Sequence, residues 1–168
     1  EELAYFNILK SQIKVCDLKD ALEIQQELID NHYMILKSKP EKLQKTKITT
    51  YLLPSGHTVL VGKNNIQNDH LSLKFANKNY MWLHTKNIPG SHVIVCSTNI
   101  PDNTLIEAAV LAAHYSKAKE SSKVDVDYTL VKNLKKPNGA NPGMVIYHTN
   151  YTMTVEPSEI NNLNIVRS

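Results

Sequence analysis

Met81-Trp82-Leu83-His84-Thr85-Lys86-Asn87-Ile88-Pro89-Gly90-Ser91-His92-Val93-Ile94-Val95 reads as a strand, a Pro-Gly turn and a second strand. It holds the only tryptophan and two of the seven histidines. Side chains alternate along a strand, so Trp82 and His84 share one face while Met81 and Leu83 take the other. The second face is assigned to the core. That leaves Trp82 and His84 open to a ligand, unless the sheet is covered on both sides. Residues 70–101 contain no Asp or Glu, yet Lys74, Lys78 and Lys86 fall among them. An aromatic ring, imidazoles, hydroxyls and uncontested positive charge suit a polyanion. Single-stranded RNA is held in this way, by stacking and phosphate contacts together. Ser91 and His92 follow the turn, where a backbone N–H, a hydroxyl and an imidazole would meet one phosphate.

Upstream, residues 48–53 and 57–61 predict a hairpin about Pro54-Ser55-Gly56. Gly62-Lys63-Asn64-Asn65 breaks the second strand, and Asn65 or Asn68 caps a helix to about residue 77. The glycine spacing of a phosphate-binding loop is missing, so no nucleotide site is assigned there. Downstream, Thr104-Leu105-Ile106-Glu107 has capping-box spacing and opens an alanine-rich helix to about residue 119. Residues 124–131 alternate as a strand. Asp125 and Asp127 share a face of it, with a solvated edge or a hydrogen bond to a neighbouring loop as their expected use. Residues 132–143 form a basic loop in which Lys132, Lys135 and Lys136 accompany two Gly and two Pro. Residues 128–155 contain no acid. The stretches 144–147 and 151–155 predict a closing hairpin, and the tail from 157 to 168 shows little pattern. The fold class expected is α+β: a mixed, largely antiparallel sheet packed with two helices, preceded by a long N-terminal helix.

That helix is predicted over residues 2–34, where Leu3, Phe6, Leu9, Ile13, Cys16, Ile24 and Leu28 follow helical spacing without Gly or Pro. Its apolar face requires a partner. The preferred reading is one arm of an antiparallel coiled coil paired with a missing arm or another chain; the alternative is docking on its own domain. Residues 37–47, with five lysines, one acid and Pro40, read as a linker. Charge is uneven: residues 1–36 carry seven acids and three lysines, whereas 37–168 carry sixteen Lys/Arg and nine acids. Such asymmetry points to a nucleic-acid-facing domain attached to a differently employed helix. Cys16 and Cys96 have no metal-ligand spacing and fit a reducing compartment. No apolar run reaches membrane-spanning length, and no signal-peptide pattern is present. The organisation expected is a helix over 1–36, a linker over 37–47, a domain over 48–156 and a tail over 157–168.

Three stretches carry a resemblance. They are Asn64-Asn65 through Asn68-Asp69-His70-Leu71-Ser72-Leu73-Lys74; Trp82-Leu83-His84 through Pro89-Gly90-Ser91-His92-Val93; and Asp127-Tyr128-Thr129-Leu130-Val131-Lys132 through Lys135-Lys136-Pro137-Asn138-Gly139-Ala140-Asn141-Pro142-Gly143. Together, over roughly 48–156, they resemble the RNA-binding (NFACT-R) domain of the NFACT family. The helix before them is similar to the returning arm of that family's coiled coil. The resemblance implies a cytoplasmic RNA-binding module of ribosome quality control, without catalysis, cofactor or metal. Its partners would be the large ribosomal subunit and tRNA or ribosomal RNA, in support of alanine tailing of stalled chains. The RNA-binding set expected is Lys74, Trp82, His84, Lys86, Ser91, His92, Lys132, Lys135 and Lys136. One position departs from the family pattern: an acid is usual two residues before the tryptophan, and here it is Tyr80. Some bacterial members are called fibronectin-binding proteins, so a surface adhesin that binds fibronectin is the alternative; the missing signal pattern argues against it.

Overall fold

The structure, a computed structural model, describes residues 2–35 and 48–168. The expected linker at 37–47 lies outside the described residues. Seven strands form one sheet: β1 (Thr49–Leu52), β2 (Thr58–Gly62), β3 (Met81–Thr85), β4 (His92–Val95), β5 (Val124–Leu130), β6 (Tyr151–Val155) and β7 (Val166–Arg167). Their spatial order is β6-β5-β3-β4-β2-β1-β7. Every pairing is antiparallel. The α+β class is therefore as expected, with a wholly antiparallel sheet in place of a mixed one.

Both faces of the sheet are covered. On one face, α4 (Asp102–His114) lays its run of alanines against Val59, Val61, Leu83, Val93, Val95 and Val126. The small side chains let the helix sit close to the strands. On the other face, Trp82, Ile94, Leu71, Val131 and Leu134 form a second core. The register puts Trp82 opposite Ile94 on one side and Thr129 on the other, so these three share that second face. Trp82 is 0% exposed. The expectation that it stands on an open face is corrected, because a second layer covers the sheet there. Burial of an indole is a large apolar contribution in either position.

This second layer begins with α3 (Asn65–His70), capped by the Asn64 side chain, which accepts from the Gln67 backbone N–H. The cap thus falls one residue before the earlier of the two expected. A π-helical turn, Leu71–Phe75, continues α3 and ends where the Ala76 N–H donates to the Leu71 carbonyl. Gly62 permits α3 to lie against β2: a Cβ there would collide with the Asn68 side-chain oxygen.

The N-terminal segment is helical but broken. α1 (Glu2–Ile13) and α2 (Leu18–Asp30) replace the single helix read over 2–34. Asp17 accepts from the Lys19 and Asp20 backbone N–H groups and starts α2 afresh in a capping box. Tyr5, Leu9 and Ile24 pack the two helices together. Polar side chains then join them to α3: Gln12 donates to Asn65, Asn64 to Glu23, and Gln67 to Asp20.

Two further differences lie at the C-terminal end. The predicted strand at 144–147 is not one. Only Ile146 pairs, in an isolated bridge with Lys135, while β6 pairs with β5. The tail is more ordered than its composition implies: Pro157–Asn162 forms a 3-10 helix and β7 adds an edge strand to β1.

Candidate nucleic-acid interface

The turn between β3 and β4 is anchored rather than loose. Ser91 N–H donates to the Tyr115 carbonyl, Lys117 N–H to the Pro89 carbonyl, and Thr85 Oγ1 to the Ile88 carbonyl. These bonds draw Lys117, just past α4, to the side of the turn.

The basic loop that follows β5 is also closed at its base. Lys135 and Ile146 exchange backbone hydrogen bonds at 2.9 and 2.8 Å. Asp69 of α3 then holds two points of the loop, accepting from Lys136 Nζ at 2.6 Å and from the Gly143 backbone N–H at 3.1 Å. Gly143 has φ +80°, which favours glycine, and a Cβ there would meet Asn65 Oδ1 at 3.0 Å.

These anchors bring the two lysine-bearing loops together. Between them lies a cavity of about 530 Å³, walled by Asn87–Gly90 from one loop and 143–147 from the other. Ile8 of α1 and Lys117 stand at its sides. Four rings cluster in its floor. His84 stacks on Trp82 at 5.7 Å between centroids and 19° between planes. His92 meets Trp82 edge-on at 5.1 Å, and Tyr147 lies 5.0 Å from it at 59°.

The polar groups of this cluster are mostly committed. His92 Nδ1 and Ser72 Oγ are 2.7 Å apart. The Tyr147 hydroxyl donates to Asp127 Oδ2 at 2.8 Å, and Thr152 donates to the other oxygen at 2.6 Å. Asp127 opposes His84 across β3 and β5. The exposed Asp125 accepts from Thr154. Both aspartates therefore serve hydrogen bonds to neighbouring side chains. Trp82 is the exception: its Nε1–H is buried with no acceptor among the described residues.

Burial sets the charge of the rings. It holds the His84 imidazole down to about 4 and His92 well below its ordinary value, with the neighbouring His84 adding to the effect. Both rings are neutral near pH 7. Tyr147 is pushed upward, by burial first and then by its bond to Asp127. The cavity floor is thus aromatic and uncharged, and positive charge belongs to its surroundings.

The nine residues singled out from sequence divide accordingly. Lys86, Lys132 and Lys135 are exposed. Lys136 is ion-paired with Asp69. His84 lines the cavity and is partly exposed. Ser91 and His92 are 5% and 2% exposed, which corrects their expected place at an open phosphate site. Their polar atoms serve the turn and Ser72 instead. Lys74 lines a separate cavity of about 540 Å³ beside Phe75 and Ile66. Tyr147 and Lys117 line the cavity but lie outside this set. The acid-free run that contains Tyr147 was a usable signal; Lys117 reads only as a cation at a helix end. Among the described residues no group of three or more His, Cys, Asp or Glu is placed to hold a metal. No described helix is long and apolar enough to cross a membrane.

The profile of the NFACT protein RNA-binding domain matches residues 47–149. The protein called Rqc2 homolog RqcH from Bacillus subtilis (strain 168) is 45% identical over 163 residues, covering 94% of this chain and 28% of that protein. Its namesake from Streptococcus suis (strain 05ZYH33) is 39% identical over 159 residues, covering 94% of this chain and 29% of that protein. The chain therefore spans less than a third of the length of these relatives. A solved structure described as the C-terminal of the fibronectin/fibrinogen-binding protein from Streptococcus suis superposes with a TM-score of 0.87 at 37% identity, over 93% of this chain and 65% of that one.

Proposed function

The chain belongs to the NFACT RNA-binding domain family, and from that premise we propose that it binds RNA where its two lysine-bearing loops converge. One observation carries the reading: two acid-free stretches, far apart in sequence, wall the same cavity. In this reading Lys86, Lys117, Lys132 and Lys135 supply phosphate contacts. Lys136 shapes its loop through Asp69, and Trp82, Ser91 and His92 support the floor from within. Lys74 contributes from the neighbouring cavity.

The relatives named RqcH extend the proposal to the longer protein. This chain would serve as the RNA-contacting part of a ribosome quality-control factor in the cytoplasm. Its partners would be the large ribosomal subunit together with tRNA or ribosomal RNA, and its task to support alanine tailing. The domain itself needs no catalytic group for this. A second reading, fibronectin binding at the cell surface, is favoured by the likeness to the Streptococcus suis structure. Capture of soluble fibronectin by the purified chain, undiminished by competing RNA, would support it.

The test of RNA binding is a salt titration. The chain and its Lys132→Ala/Lys135→Ala variant are measured against single-stranded RNA, tRNA and large subunits between about 50 and 200 mM salt. For single-stranded RNA, the log–log slope of affinity against salt should shrink by roughly 0.7 for each phosphate that the variant no longer neutralises. Affinity should fall alike for all RNA sequences. Equal slopes and equal affinities would remove these lysines from the interface.

A further inference from the structure

The cavity has a chemistry that phosphate contacts from nearby lysines do not explain. A site for phosphate alone would be open, cationic and rich in free donors. This one is recessed, aromatic and uncharged at its floor, and its histidines remain neutral near pH 7. The Trp82 Nε1–H is a buried donor with no acceptor among the described residues.

We propose that the cavity between residues 87–90 and 143–147 takes a single unpaired nucleobase of the bound RNA, packed against His84 and Tyr147 above the buried Trp82 indole. This deepens the RNA-binding reading above and rests on it. The volume, about 530 Å³, falls in the range of small-ligand pockets, with room for a base and part of its sugar. His84 and Tyr147 are the rings of the cluster that retain exposed surface. Every base presents a π-face, so the site grips bases without requiring one in particular. Lys117 beside the cavity is placed for the phosphate attached to the captured nucleotide. The fixed turns on either side keep the opening formed before RNA arrives, which lowers the ordering cost of binding. Duplex RNA has its bases stacked and paired, so a base pocket selects single-stranded segments.

The single tryptophan makes the test direct, because the nitrogen-15-labelled chain gives one indole N–H resonance. The chain is titrated with the neutral nucleosides adenosine and uridine, with ribose 5-phosphate, and with hexa-adenylate and hexa-uridylate RNA. The expected result is a ring-current shift of the indole proton with nucleosides and RNA but not with ribose 5-phosphate. Nucleosides at millimolar concentration should also displace the hexamers. If RNA moves backbone amides of residues 86 and 132–136 while the indole stays fixed, RNA binding stands, the base pocket falls, and the cavity holds water. If neither RNA nor nucleoside moves any resonance, both readings fall together.

Discussion

Two imidazoles packed against one indole give the second core of the sheet a defined response to acid. In the folded chain the His84 pKa lies near 4, because burial disfavours the charged ring. In the unfolded chain an imidazole titrates near 6.5. Between those values the unfolded chain binds more protons, so stability present above about pH 6.5 is lost as pH falls toward 4. For His84 alone the loss at pH 5 is about 2 kcal/mol. Denaturant unfolding followed by Trp82 fluorescence should show the parent weakening between pH 7.5 and 5. His84→Phe should weaken less, since it keeps the ring and removes the proton site. Equal losses in both proteins would mean that His84 titrates normally when folded. At this scale the sequence was a partial guide. Strand parity correctly separated Trp82 and His84 from Leu83, but parity says which face a side chain takes, not what lies on that face. The covering layer comes from Leu71, Val131 and Leu134, each from a segment remote in sequence or past a turn.

At the scale of elements, the helical hairpin α1–α2 meets α3 through carboxylates and amides rather than through apolar side chains. Asp20, Glu23 and Glu27 are buried, and Glu27 Oε1 accepts from Tyr5 and Asn65. Burial raises the pKa of both Asp20 and Glu27. Here the sign is opposite to that of the histidines. The folded state holds its protons more tightly, so docking is favoured at low pH and weakens as pH rises from the ordinary carboxylate range through the raised values. Asp17 works the other way, lowered chiefly by the Asp20 backbone N–H, but only at or below the ordinary carboxylate range. Protection factors for α2 amides should therefore rise as pH falls toward the ordinary carboxylate range. Glu27→Gln, whose amide oxygen still accepts from Tyr5, should flatten that difference. A parent hairpin indifferent to pH would contradict protonation of these acids at the contact. The break between α1 and α2 was hidden in the sequence because apolar spacing runs through it, and Asp17 and Asp20 form a capping box of two aspartates. The run Met144-Val145-Ile146-Tyr147 misread as a strand for a related reason. Its β-branched and aromatic composition suits one, but the loop closure at Lys135–Ile146 and the Asp69 anchor carry it across the sheet's second face.

For the molecule as a whole, charge and shape divide the surface by role. The α4 face of the sheet is closed by Pro157–Asn162, whereas the opposite face brings 87–90, 117 and 143–147 around one opening. That convergence was legible as two separate acid-free stretches. Their adjacency was not, because it depends on β3 pairing with both β4 and β5, a fact of topology that charge spacing does not encode. The central claim is that RNA meets this face and no other. It is tested most directly by photocrosslinking single-stranded RNA containing 4-thiouridine to the chain and mapping the modified peptides. Crosslinks should concentrate in residues 84–92, 117 and 132–147. Crosslinks confined instead to the opposite side, around Ile106 and Glu159, would contradict the account.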